Sequence, residues 1–133
     1  MNIFEWDEET PVTANNLNEM QNTINENIKD IYSTSEIRTN KISSNNKPIY
    51  RKVFNNISYS TAQTETATGI TNVATITDIS GTINGRPINF QLDTYYISTW
   101  VDYSNNSLNI YTRCSAVYQG IGRVILEYTK TTD

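Results

Sequence analysis

Six carboxylates stand in the chain after Lys47: Glu65, Asp78, Asp93, Asp102, Glu127 and Asp133. Two carboxyl groups facing each other across a cleft hydrolyse a glycoside, one giving a proton while the other attacks or activates water. Here they occur singly among Thr and Asn, the pattern of solvated strand faces and turns. The 133 residues include no histidine, which removes the usual general base, the common zinc ligand and the Ser-His and Cys-His nucleophile pairs. No glycine-rich phosphate loop or cluster of metal-ligating residues appears, and Gly120-x-Gly122 is too short a motif to stand for one. The expectation is a chain with no catalytic residues, no metal and no cofactor.

Aromatic residues offer more. Tyr95, Tyr96, Trp100, Tyr103, Tyr111 and Tyr118 crowd a short span. Strand alternation puts Tyr96 and Trp100 on one face and Tyr95 and Tyr103 on the other. One face belongs to a core. The other is suited to stacking on sugar rings or to a subunit interface, because Tyr and Trp join an apolar body to a polar handle. Tyr96, Trp100 and Tyr103 are therefore the candidate receptor or subunit contacts. The single cysteine, Cys114, allows no internal disulfide and reads as a small buried hydrophobe in a strand.

The elements that position these residues change character along the chain. Near the N-terminus, Pro11 holds the backbone extended and Thr13 is placed to cap a helix. Val12 and Leu17 have the spacing of a hydrophobic staple, and Glu5, Asp7, Glu8 and Glu9 lie where a helix dipole favours negative charge. Trp6, in this acidic segment, either stands beside a simple capped helix or docks on a partner surface. Leu17, Ile24, Ile28, Ile31 and Ile42 fall on a heptad pattern, with Gln21, Ser35 and Arg38 at the remaining seam positions. Isoleucine at both core positions shifts parallel coiled coils toward trimers or tetramers. A helix over 13–42 would measure about 45 Å. Its Asn- and Thr-rich faces make it marginal alone, so it would pack on copies of itself or fold back on the strand-rich remainder of the chain.

The segment 43–48 reads as a linker stopped by Pro48. Beyond it, strand runs are expected over 49–54, 73–79, 88–92, 95–103, 108–114 and 123–130, separated by turn signals at Ser80-Gly81, Asn84-Gly85 and Asn105-Asn106. The predicted organisation is a helical, coiled-coil-like oligomerisation stem over 1–47 and an antiparallel all-β sandwich or jelly-roll-like module over 48–133.

Charge narrows the partners. The net charge of −4 sits on the first 47 residues, since eight acidic and four basic residues precede the division and six of each follow it. No basic stripe exists to neutralise phosphates, so neither nucleic acid nor an acidic membrane is an expected partner. No apolar run is long enough to span a bilayer, and the acidic N-terminus lacks the features of a signal peptide.

Trp6, Thr10-Pro11-Val12-Thr13-Ala14 and Asn16-Leu17-Asn18 resemble the N-terminal signature of small virion proteins of tailed bacteriophages, although Asn15 replaces an acidic residue expected in the first turn. Lys47-Pro48-Ile49-Tyr50-Arg51-Lys52-Val53 and Glu127-Tyr128-Thr129-Lys130-Thr131-Thr132-Asp133 are similar to start and end segments of the β modules of such proteins. The resemblance implies a virion structural protein, made in the host bacterial cytoplasm. The leading expectation is a homotrimeric tail fibre or appendage. Trp6, Pro11, Val12 and Leu17 would attach it to other virion proteins, and its β module would bind the host surface, with cell-surface glycan as a receptor class. The alternative is a head-fibre or capsid-decoration protein. A third reading, a cell-wall glycan hydrolase, would draw on Asp93, Asp102 and Glu127.

Overall fold

Strand periodicity governs residues 31–133, the part of the chain that the structure, a computed structural model, describes. Within them run β1 (Ile37–Ile42), β2 (Pro48–Tyr59), β3 (Thr64–Ala67), β4 (Val73–Ile83), β5 (Arg86–Pro87), β6 (Phe90–Leu92), β7 (Tyr95–Ser104), β8 (Ser107–Cys114) and β9 (Gly120–Lys130), with a 3-10 turn at Ala116–Tyr118. Strand β8 shows the period of two most clearly. Leu108, Ile110, Thr112 and Cys114 are buried on one face, while Asn109, Tyr111 and Arg113 alternate on the other.

All pairings are antiparallel and make two sheets, one ordered β1-β2-β9-β4-β5 and the other β3-β8-β7-β6. The chain changes sheets between β2 and β3, β3 and β4, β5 and β6, and β8 and β9. One core lies between them, with Ile57, Ile83, Val124, Leu126 and Tyr128 from the five-stranded sheet against Ile97, Leu108, Ile110 and Cys114 from the four-stranded one. Burying each Ile or Leu stabilises the fold by about 1.5–3 kcal/mol.

Polar groups also bridge the sheets. Thr99 Oγ1 donates to the Ile88 carbonyl at 2.7 Å, so its lone pairs remain to accept the Tyr59 hydroxyl at 2.6 Å. Thr112 Oγ1 donates to the Ser58 carbonyl at 2.6 Å. Burial pushes the Tyr59 phenol up to about 12.

The turns explain the connections. Asn84 and Gly85 both take positive φ, at 51° and 76°, as the tight β4–β5 hairpin needs, and Asn105 and Asn106 do the same between β7 and β8 at 52° and 58°. Ser80-Gly81, expected as a turn, lies inside β4. Gly81 has φ 137°, and a Cβ there would stand 1.9 Å from the Arg123 carbonyl oxygen. The glycine thus permits β4 and β9 to approach. At Asn55-Asn56, β2 continues through a bulge instead of ending, so Ile57 and Tyr59 return to the core.

The expectation of a helical stem is corrected in the part the structure describes. No α-helix occurs among the described residues, and 37–42, placed in that stem from the sequence, form β1. The reason is local. Asn46 at φ 69° and the bonds Ser43 N–H to Lys47 O (2.8 Å) and Asn46 N–H to Ser43 O (2.9 Å) close a turn over the expected linker, folding β1 back onto β2. The β-branched alternation of Ile37 and Thr39 suits that edge, and Thr39 Oγ1 donates to the Ile49 carbonyl at 2.7 Å.

Of the seam residues, Ile42 therefore sits in β1 with its side chain 65% exposed, and Ile31 is exposed in irregular chain ahead of β1. Residues 31–47 belong with the sandwich. Leu17, Ile24 and Ile28 of the seam and the attachment candidates Trp6, Pro11 and Val12 lie outside the described residues.

The edge is tied down electrostatically. Arg51 and Glu127 face each other across β2 and β9, joined at 2.6 and 2.8 Å, and Lys41 from β1 reaches Glu127 at 3.2 Å. Arg51 is 1% exposed, and its guanidinium lies over the Tyr32 ring at 4.2 Å while donating to the Ile31 carbonyl at 3.0 Å. Glu36 binds the Tyr128 hydroxyl and the Lys130 ammonium, both at 2.5 Å. Burial opposes the Glu36 charge, but these two bonds together with the nearby charges of Lys130 and Lys52 outweigh it and hold the carboxyl below its ordinary value.

Two outcomes are expected. Gly81→Ala should lose on the order of 3 kcal/mol or more by urea denaturation, because backbone must move. Gly85→Ala, where nothing lies within 4 Å of the added carbon, should lose only about 1–2 kcal/mol through left-handed strain. Tyr59 makes the fold alkali-sensitive. Below pH 10 native and unfolded states both hold its proton; between 10 and about 12 only the native state does. Stability therefore falls through that window by up to about 1.4 kcal/mol per pH unit. Denaturation curves from pH 9 to 12 should show this slope reduced in Tyr59→Phe.

Candidate functional site

The outward face of the four-stranded sheet is a grid whose rows follow from register. Trp100 on β7 is opposite Tyr111 on β8, which is opposite Glu65 on β3. One row further along lie Asp102, Asn109 and Ala67; on the other side Ser98 faces Arg113. Beyond that, Tyr96 faces Gln91 on β6. Each is outward because its strand neighbours Ile97, Thr99, Ile110 and Thr112 are buried.

Trp100 and Tyr111 stack, with ring centroids 5.8 Å apart and planes 12° from parallel. The Trp100 side chain is nonetheless 37% exposed. Polar groups edge the pair: Asn109 Nδ2 donates to Glu65 Oε2 at 2.8 Å, and Arg113 Nε donates to the Thr61 carbonyl at 3.0 Å. The Tyr111 phenol is held above its ordinary value, first by desolvation and then by the Glu65 charge. Beside this platform, Asn89, Phe90, Gln91, Tyr96, Ile97 and Ser98 line an open groove of about 430 Å³. Such a face can stack on the apolar side of a flat ligand and hydrogen-bond its edges.

The structure separates the aromatic candidates. Tyr96 and Trp100 share the outward face. Tyr103 points the other way, packing against the core, with its hydroxyl on Asn106. Tyr95 is exposed and meets the buried Tyr118 edge-on at 6.2 Å. Tyr111 and Glu65 complete the site, beyond the contacts expected from the sequence at Tyr96, Trp100 and Tyr103. Tyr111 had a signal: a two-residue turn at Asn105-Asn106 pairs Ser104 with Ser107, and counting back along both strands brings Trp100 opposite Tyr111. Glu65 had none, because its strand, Thr64–Ala67, is short and polar.

The chain matches no family model, no curated protein and no solved structure. The face must be judged on its own chemistry. Asp93, Asp102 and Glu127 are not brought together: Asp93 is an exposed turn residue at φ 58°, Asp102 is on the outer face of β7, and Glu127 is engaged by Arg51 on the other sheet. Among the described residues no group of His, Cys, Asp and Glu is arranged to hold a metal ion. Cys114 is 1% exposed in the core, and burial pushes its thiol up.

The platform should be separable from the core by stability. Trp100→Ala should cost about 1 kcal/mol, the worth of a cross-strand aromatic pair. Ile97→Ala, one sheet face away, should cost about 2–5 kcal/mol. Chemical denaturation of the two variants checks this, and equal losses would mean that Trp100 is a packing residue.

Proposed function

We propose that this chain is a virion structural protein of a tailed bacteriophage whose β-sandwich binds glycan on the surface of the host cell. The observation that carries the glycan reading is the Trp100–Tyr111 stack, left partly exposed on a sheet face and edged by Glu65, Asp102, Asn109 and Arg113. A pyranose ring has an apolar face of C–H groups and an equator of hydroxyls. Aromatic faces match the first and carboxylate, amide and guanidinium groups the second.

The virion reading is supported by the sequence motifs. Two of them, 47–53 and 127–133, lie against each other across the β2–β9 ladder, where Tyr50 stacks on Tyr128 at 6.1 Å and Arg51 pairs with Glu127. In this reading the N-terminal segment attaches the protein to other virion components. Its place on the tail or on the head is a matter for labelling on the particle.

The test is competition. The purified chain should inhibit adsorption of the phage that carries it, and Trp100→Ala and Tyr111→Ala should each weaken inhibition at least tenfold while remaining folded. Adsorption unchanged by excess protein and by deletion of the gene would remove the receptor-binding role, leaving a decoration protein.

A further inference from the structure

The ring pair is one part of a longer surface. Tyr96, Ser98 and Trp100 are alternate residues of β7 and point to the same side. Four residue steps of strand lead from Tyr96 to Trp100, about 14 Å at 3.4 Å per residue. The open groove lies at the Tyr96 end and includes Ser98, the outward residue of β7 next before Trp100. A single hexose ring cannot occupy both places.

The two places also differ in charge. Among the described residues no carboxylate, Lys or Arg lines the groove; its polar groups are the amides of Asn89 and Gln91, the Ser98 hydroxyl and the Tyr96 phenol. Asn89 Oδ1 is taken by the Thr99 N–H at 2.9 Å, which fixes its amide nitrogen as a donor. At the stack, two carboxylates, Glu65 and Asp102, stand against one guanidinium, Arg113, itself held to the Thr61 carbonyl. An uncharged ligand gives hydroxyls to these acceptors and takes bonds from the amides. A polyanion meets excess negative charge at one end and, at the other, a single guanidinium, Arg86, which lies over the Phe90 and Tyr118 rings and outside the groove lining.

Resting on the glycan reading above, we infer that the ligand is an uncharged linear oligosaccharide of three or more sugar units. It lies along β7, with one unit on Trp100–Tyr111 and another in the groove at Gln91, Tyr96 and Ser98. The strand-borne site is already shaped, so each further ring adds contacts at low ordering cost.

A glycan array carrying neutral and anionic structures, followed by calorimetry with cello-, malto- and chito-oligosaccharides of one to six units and with hexameric oligogalacturonate, tests this on the full chain. Neutral chains should be selected, with affinity rising at least tenfold from one unit to the length that fills both places. Gln91→Ala, at an exposed position, and Tyr96→Ala should each weaken the long ligand at least fivefold and leave the shortest bound ligand within twofold; Trp100→Ala should weaken both. Affinity independent of length, or long-ligand binding indifferent to Gln91 and Tyr96, overturns the extended site while a persisting Trp100 dependence keeps the glycan reading. Preference for the anionic chain overturns the neutral class alone. No glycan bound anywhere on the array overturns both.

Discussion

Everything in the sandwich leans on β9 being held between β2 and β4. Its backbone pairs with β2 from Gly120 to Tyr128 and with β4 from Arg123 to Lys130, so it supplies the ladder on both sides of the sheet's centre. Its even positions, Val124, Leu126 and Tyr128, are wholly buried. The fit is close enough to dictate residue types on its neighbours. Gly81 has to lack a side chain where β4 passes Arg123, and a Cβ at Gly122 would come within 2.8 Å of the Tyr59 ring. The partners are distant in sequence, so most stabilising pairings carry a large loop-closure cost, and slow folding follows from that topology.

The two outward faces solve different problems. On the five-stranded sheet, Arg51 and Glu127 are buried charges that must be paired, and they are, with Lys41 and the Tyr32 ring completing their surroundings. Removing either partner would leave the other stranded, a costly state whatever the net worth of the pair. On the four-stranded sheet the outward groups are half-exposed rings, amides and carboxylates with water still at hand. The first face fixes strand register. The second leaves its rings partly open to solvent.

Much of this could be read from residue patterns, and the failures have physical causes. Asn84-Gly85 and Asn105-Asn106 announce their hairpins because few residues accept two successive positive φ angles. The alternation over 95–103 separates Tyr96 and Trp100 from Tyr103 because the strand period is two. The stem expectation failed over 31–42 because isoleucines at 24, 28, 31 and 42 mimic a heptad, while the decisive signal, a turn closed by Asn46 and Ser43, is carried by backbone bonds that composition does not reveal. Gly81 and Asn55-Asn56 look like chain reversals but serve a close approach and a bulge, since Gly and Asn suit both. The Trp100–Tyr111–Glu65 row needed the pairing of three strands, and β3 is too short and polar to declare itself.

Among the described residues the Trp100–Tyr111 face is built from strand positions, with no contribution from long loops. Its geometry is therefore inherited from hydrogen-bond register. Insertions in the connections at either end of the sandwich would leave Trp100 over against Tyr111, whereas a one-residue slip between β7 and β8 would put the two rings on opposite faces of the sheet. Diversification of such a surface is confined to exchanging single side chains at fixed lattice points, so its repertoire is narrow in shape and broad only in chemistry.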